Sequence, residues 1–106
     1  GLAMQLPSLD QSGYSALHLY VVRLNLEQLK KSRKEIFHEL VALGIGVNVH
    51  YIPIHTQPYY RKNGFEGRSF QTSEWYYDGA LTLPLYATLT EADQDFVIEA
   101  VKKVLV

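Results

Sequence analysis

The segment that most constrains this chain is residues 44–60, GIGVNVHYIPIHTQPYY. Gly44 favours the end of a helix because glycine tolerates a left-handed backbone. Residues 46–52 then alternate as a strand does, and Pro53 and Pro58 bracket a loop with histidines and tyrosines. Polar and aromatic side chains at the end of a strand commonly line a small-molecule site. The sequence therefore predicts a helix–strand–loop unit whose loop carries the function.

The rest of the pattern predicts a small α+β fold. Ser32 and Glu35 match a capping box, and Thr90 followed by Asp93 is typical of a second helix start. We expect strands over residues 15–24, 46–52 and 80–85, and helices over residues 33–43, 70–79 and 90–105. Thr72 or Ser73 is expected to open the middle helix. Three strands are too few for a doubly wound sheet, so we predict a small, mostly antiparallel sheet with helices on one face.

Composition narrows the class of protein. A chain of 106 residues suffices for one domain. We interpret residues 1–14 as a tag remnant and linker, and residues 15–106 as the domain. The absence of cysteine excludes disulfide scaffolds and thiolate metal sites, and fits the cytoplasm. A net charge of −1 with dispersed basic residues argues against nucleic-acid or membrane partners. No apolar run approaches the ~20 residues of a membrane helix.

The chemistry-bearing residues predict a binding surface without a catalytic centre. His50 and His55 are too few for zinc, which needs three or four ligands, so we expect no metal. They are either hydrogen-bonded structural histidines or ligand contacts. The chain has no nucleophile elbow and no glycine-rich phosphate loop. Its lysines fall in polar turns, in a loop or around the last helix, where none is a convincing Schiff-base group.

Four stretches together resemble a known enzyme family. They are HLYVVRL at residues 18–24, SRKEIF at 32–37, GIGVNVHYIPIHTQPYYRKNGF at 44–65 and ALTLPLYATLTEADQDFVIEAVKKVL at 80–105. In this order they resemble the C-terminal part of the DegT/DnrJ/EryC1/StrS sugar aminotransferases. The likeness is greatest to the branch that aminates UDP-4-keto-6-deoxy-N-acetylhexosamines toward pseudaminic acid. Spore coat polysaccharide biosynthesis proteins belong to the same group.

The resemblance implies the small domain of a fold type I, pyridoxal-phosphate (PLP) aminotransferase. The cofactor lysine would then lie in an N-terminal large domain absent from this chain. The fragment alone is expected to bind no cofactor and to be inactive. The parent would transfer an amino group from glutamate to a 4-keto-6-deoxy nucleotide sugar, and would form a homodimer. The resemblance implies substrate-side contacts from these residues of the loop: His50, Tyr51, His55, Asn48 and Tyr59.

Two other functions stay open at this level. A free-standing ligand-binding or regulatory α/β module would have a closed polar surface and would bind a small ligand by itself. An interaction-only module would have no concave site near His50. The aminotransferase fragment, in contrast, predicts an exposed apolar face against which the large domain would dock.

Overall fold

Three antiparallel strands form the sheet of this chain, whose computed structural model describes residues 1–8 and 12–106. The strands are β1 (Met4–Gln5), β2 (Tyr20–Leu24) and β3 (Ala80–Leu83), in the order β1-β2-β3. Met4 pairs with Leu24 at one side of β2, and Val22 pairs with Leu81 at the other. The strand β2 is therefore central, and its neighbour β3 comes from the far end of the chain.

The core lies between one face of this sheet and the two longest helices, α1 (Arg33–Ala42) and α4 (Glu91–Leu105). Alternation along β2 turns Val22 and Leu24 toward the helices. The fully or nearly buried side chains that meet them are Ile36, Leu40, Leu81, Val101 and Val104. The layout confirms the predicted α+β class with a small antiparallel sheet.

The helices α1 and α4 begin at the capping residues that were predicted for them. The Ser32 hydroxyl accepts from the Glu35 amide, and the Glu35 carboxylate accepts from the Ser32 amide at 2.7 Å. Thr90 and Asp93 make the same reciprocal pair at the start of α4. These bonds satisfy amide groups that a helix start leaves without partners.

The predicted strand over residues 46–52 is wrong. Only Asn48 bridges the sheet there, opposite Thr82. The Val47 amide turns back to the carbonyl of Ile45 at 3.1 Å, and the Asn48 side chain accepts from the Val49 amide at 2.7 Å. Such local bonds compete with a sheet ladder, so the segment runs beside β3 without becoming a strand.

Strand positions also shift at the N-terminal side of the chain. Sheet pairing begins at Tyr20 rather than at residue 15. Within the segment interpreted as tag remnant and linker, Met4 and Gln5 pair with β2, and Leu2 packs against the core. The rest of that segment includes residues 9–11, which lie outside the described residues.

A compact turn region connects the sheet edge to α3 (Gln71–Gly79). It contains a 3-10 turn (Ile54–Thr56), the short helix α2 (Pro58–Tyr60) and a kinked turn (Arg61–Phe65) in which Gly64 has a φ of 99°. The N-cap of α3 is Phe70, so Thr72 and Ser73 lie inside the helix and do not open it. The Glu74 carboxylate accepts from the Phe70 amide at 2.9 Å instead.

Candidate functional site

His50 is held at the sheet edge by Thr82. Thr82 is only 5% exposed, and its amide and carbonyl bond to Asn48 at 2.8 and 3.1 Å. Its hydroxyl lies 2.9 Å from Nδ1 of the half-buried His50. The His50 ring then meets Tyr51 edge-on, with ring centroids 4.5 Å apart. The irregular bridge at Asn48 thus positions both residues at the start of the loop.

His55 is fixed more firmly, although it lies in a loop. The side chain is 8% exposed, and its Nε2 lies 2.7 Å from the Glu74 carboxylate on α3. Its ring packs against Phe70 with centroids 4.7 Å apart. The sequence predicted either a hydrogen-bonded structural histidine or a ligand contact, and the structure gives His55 the hydrogen bond.

The Glu74 carboxylate accepts several hydrogen bonds. Besides His55, its carboxylate accepts from the Phe70 amide and from the Ser69 hydroxyl, each at 2.9 Å. These hydrogen bonds, led by that from Phe70 and followed by those from His55 and Ser69, lower the pKa of Glu74. An ionised carboxylate only accepts, so the bonded His55 Nε2 carries a proton. That nitrogen is therefore not available as a general base.

Two concavities meet at His55. The first is an open depression of about 410 Å³ on its apolar side. It is lined by Tyr51, Ile52, Pro53, Ile54, His55, Phe65, Phe70 and Ser73. The second measures about 280 Å³ and is lined by His55, Thr56, Arg61, Phe65, Gly67, Arg68 and Glu74. His55 and Phe65 belong to both linings, so they form the ridge between an aromatic depression and a charged one.

The structure groups some predicted site residues and separates others. Tyr51 and His55 line the same depression, and the ring of His50 contacts the ring of Tyr51. Asn48 lies at the sheet edge. Tyr59 is exposed, packs edge-on against Tyr60 and lines neither depression.

Several residues of this site were not predicted from the sequence. They are Phe65, Phe70, Glu74, Arg61 and Arg68. Tertiary folding brings the loop and α3 together, since His55 and Glu74 are 19 positions apart in the sequence. No local pattern in the sequence marks these residues, because they converge only when the chain folds.

Among the described residues, metal ligands and lysines are not gathered at this site. Within residues 1–8 and 12–106, no group of three or more His, Asp or Glu is placed to hold a metal ion. No lysine lines either depression, and Lys31 is bound to Glu39 and to the Val104 carbonyl. In the described part of the chain, no helix is long and apolar enough to cross a bilayer. The arrangement offers a ligand one aromatic depression and one charged depression on either side of His55.

Comparison with known proteins gives a consistent result. The family model described as "DegT/DnrJ/EryC1/StrS aminotransferase family" matches residues 2–102. The chain is 37% identical over 101 residues to the spore coat polysaccharide biosynthesis protein SpsC of Bacillus subtilis. That match covers 93% of the chain and 26% of SpsC, so the chain spans about a quarter of this relative's length.

Solved structures show the same fold. The PMP-form of the putative sugar aminotransferase Spr1654 from Streptococcus pneumoniae superimposes with a TM-score of 0.84 at 29% identity. The match covers 96% of this chain and 26% of that one. Helicobacter pylori PseC, an aminotransferase of pseudoaminic acid biosynthesis, gives a TM-score of 0.76 at 26% identity, over 83% of this chain and 23% of PseC. A PLP-form of Spr1654 is also similar.

Proposed function

The chain belongs to the DegT/DnrJ/EryC1/StrS aminotransferase family, and we propose that it is the C-terminal small domain of a longer, cytoplasmic sugar aminotransferase. The full protein would transfer an amino group from glutamate to a 4-keto-6-deoxy nucleotide sugar. The match to about a quarter of each relative supports this proposal. The names of SpsC and PseC support a role in polysaccharide or pseudoaminic acid synthesis.

The cofactor of the full protein would be PLP, which supplies an electron sink for amino transfer. The described residues do not fit a PLP site because no lysine reaches the depressions at His55. Lys62 is exposed and lies outside both linings. We therefore assign the cofactor to the part of the full protein that precedes this chain.

This chain would form one wall of the substrate cleft. The observation that carries the proposal is the depression in which Tyr51 and His55 meet. The Tyr51 side chain is 72% exposed, so its ring and hydroxyl are free to contact a sugar or base. His55 would keep the floor of the depression rigid through Glu74, and His50 would support Tyr51 from behind.

The loop tip would face the large domain across this cleft. Ile52 and Ile54 are more than half exposed next to Tyr51. Neighbouring exposed apolar side chains are typical of a surface that another part of a protein covers. We also propose that the full protein is a homodimer, as the family resemblance implies.

The test uses the full reading frame that contains this chain. The purified protein is assayed for amino transfer from glutamate to UDP-4-keto-6-deoxy-N-acetylglucosamine, with the product identified by mass spectrometry. Tyr51→Ala should raise KM about tenfold with a smaller change in kcat, because a contact made equally in ground and transition states affects binding. Tyr14→Ala is the matched control, since Tyr14 is fully exposed away from both depressions.

Two results would refute the proposal. The first is the absence of amino transfer with any 4-keto nucleotide sugar. The second is PLP bound through a lysine of the isolated 106-residue chain, as seen by cofactor absorbance and borohydride trapping. A closed surface with small-ligand binding and no transfer would favour the free-standing module instead.

A further inference from the structure

The four arginines of this chain fall into two pairs with different surroundings. Arg23 and Arg33 make contacts within the fold. Arg23 stacks 3.3 Å from the Trp75 ring centroid, and Arg33 donates to the carbonyls of Tyr77 and Ala80. The guanidinium groups of Arg61 and Arg68 make no hydrogen bond or ion pair with any residue in the described ranges 1–8 and 12–106.

The fold nevertheless brings Arg61 and Arg68 to the same depression, the one of about 280 Å³ beside His55. The chain reverses between them because Gly64 and Gly67 both have positive φ, at 99° and 72°. Such conformations suit glycine. Asn63 donates to the Tyr59 carbonyl at 2.7 Å, which ties the turn back onto α2.

Backbone and ring contacts also orient Arg68. Its amide donates to the Phe65 carbonyl at 3.1 Å, and its guanidinium carbon lies 5.6 Å from the Phe65 ring centroid. Phe65 is the residue that separates the charged depression from the aromatic one. Arg68 is therefore held at the boundary between the two.

The acidic residues nearby do not neutralise this pair. Glu74 lines the depression, but its oxygens accept from His55, Ser69 and Phe70 rather than from either arginine. Glu66 lies in the same turn, is exposed, and forms no ion pair within the described residues. Two guanidinium groups thus face a concave surface with their donors unused.

We propose that Arg61 and Arg68 form an anion subsite that binds the phosphate groups of a ligand. Guanidinium groups match phosphate oxygens in geometry and charge. Since the aromatic depression begins across the Phe65–His55 ridge, the ligand is a phosphate ester that carries a ring, such as a nucleoside diphosphate. The identification of the ring compound rests on the proposed function; the anion subsite rests on the arginines alone.

The test measures binding to the 106-residue chain by calorimetry, with pyrophosphate, UDP and uridine as probes. Wild-type chain should bind UDP more tightly than pyrophosphate or uridine. The double variant Arg61→Gln/Arg68→Gln should bind pyrophosphate and UDP about tenfold more weakly, because two partly exposed charge pairs are lost. Its affinity for uridine should stay within about twofold of wild type. Added salt should weaken UDP binding to wild type more than to the double variant.

Lys62→Gln is the matched control. It removes one positive charge from the same turn, yet Lys62 lies outside the lining of the depression. Pyrophosphate affinity within about twofold of wild type is expected for it. Circular dichroism verifies that all variants keep the helical signal of the wild-type chain.

The subsite is overturned if pyrophosphate shows no saturable binding, if the double variant binds it as tightly as wild type, or if Lys62→Gln weakens it equally. The assay of the full protein separates this result from the proposed function. Arginine-dependent pyrophosphate binding without amino transfer would refute the aminotransferase and keep the subsite. Amino transfer whose KM is unchanged in the double variant would keep the aminotransferase and refute the assignment of this subsite to the phosphate groups of its substrate.

Discussion

Thr82→Val tests how the sheet edge positions His50. The substitution replaces the 5% exposed hydroxyl with a methyl group of nearly equal volume. The backbone bonds from Thr82 to Asn48, at 2.8 and 3.1 Å, do not involve the side chain and should persist. The single contact removed is that between the hydroxyl and His50 Nδ1, 2.9 Å apart.

The expected loss of stability follows from that one contact. A neutral hydrogen bond contributes about 0.5–1.5 kcal/mol net, and leaving a buried partner unsatisfied costs about 1–3 kcal/mol. His50 is half-buried, so water can partly replace the lost hydroxyl. We expect the free energy of unfolding to fall by roughly 1–2 kcal/mol. When His50 is already alanine, Thr82→Val should lower the free energy of unfolding by about 1 kcal/mol less than it does in the wild-type chain.

The assay combines urea unfolding with nitrogen NMR of the histidine rings. In Thr82→Val the His50 ring nitrogen signals should move, because Nδ1 loses its hydroxyl partner, whereas the exposed His38 should report no change. Thr82→Ser keeps the hydroxyl and should keep the His50 signals. It should still lose about 1 kcal/mol through its missing methyl group.

An unchanged His50 spectrum in Thr82→Val would refute the role assigned to the Thr82 hydroxyl. A coupling energy below about 0.3 kcal/mol in the double-mutant cycle would refute it as well, since independent sites add within that margin.

Three further substitutions have defined outcomes. Gly79→Ala would place a Cβ 2.8 Å from the Leu24 carbonyl oxygen, so urea unfolding should show a loss of about 1–3 kcal/mol; Gly46→Ala, with nothing within 4 Å, should show much less. The folded-state pKa of Glu74 is lowered, so its contribution is present above the unfolded value of about 4.3 and is lost as pH falls through the folded pKa. The stability difference between wild type and Glu74→Gln, measured by urea unfolding from pH 7 down to pH 2.5, should therefore shrink toward the acid end, and a constant difference would contradict the contacts described. Ser32→Ala should lower the thermal midpoint by an amount equivalent to about 1 kcal/mol through loss of the cap; an unchanged midpoint would contradict this.

The helices of this protein were predictable because their signals are local. The Ser32–Glu35 and Thr90–Asp93 boxes each lie within four residues, and both helix starts were confirmed. The start of α3 was not, because its N-cap is Phe70, a residue with no capping side chain. There the acceptor comes from Glu74, one turn inside the helix.

The sheet was less predictable because strand pairing is not local. Alternation over residues 46–52 indicated a strand, yet pairing stops after the Asn48–Thr82 bridge. A period-2 pattern reports which side chains share a face, and does not report whether a partner strand offers a full ladder. The short β1 at Met4–Gln5 shows the reverse case: two residues carry too little pattern to be recognised, but a partner is present.

In the candidate site, too, the local features were predictable and the long-range contacts were not. Tyr51 and His55 were predicted from their loop, and the structure brings them to one depression. Their surroundings were not predicted, because Glu74 reaches His55 across 19 positions. The charged depression has the same origin, since Arg61 and Arg68 converge only through the reversal at Gly64 and Gly67.

The different settings of Tyr51 and His55 decide how their roles can be separated. His55 is buried and bound to Glu74, so its replacement would disturb the ridge between both depressions as well as any ligand contact. Loss of activity in a His55 variant would therefore not assign a contact. Tyr51 is 72% exposed and meets the fold through the His50 ring. Its hydroxyl can be removed as Tyr51→Phe with the ring contact kept. A KM change in that variant would consequently report on the ligand, which makes Tyr51 the residue at which the proposed cleft can be tested without altering the fold.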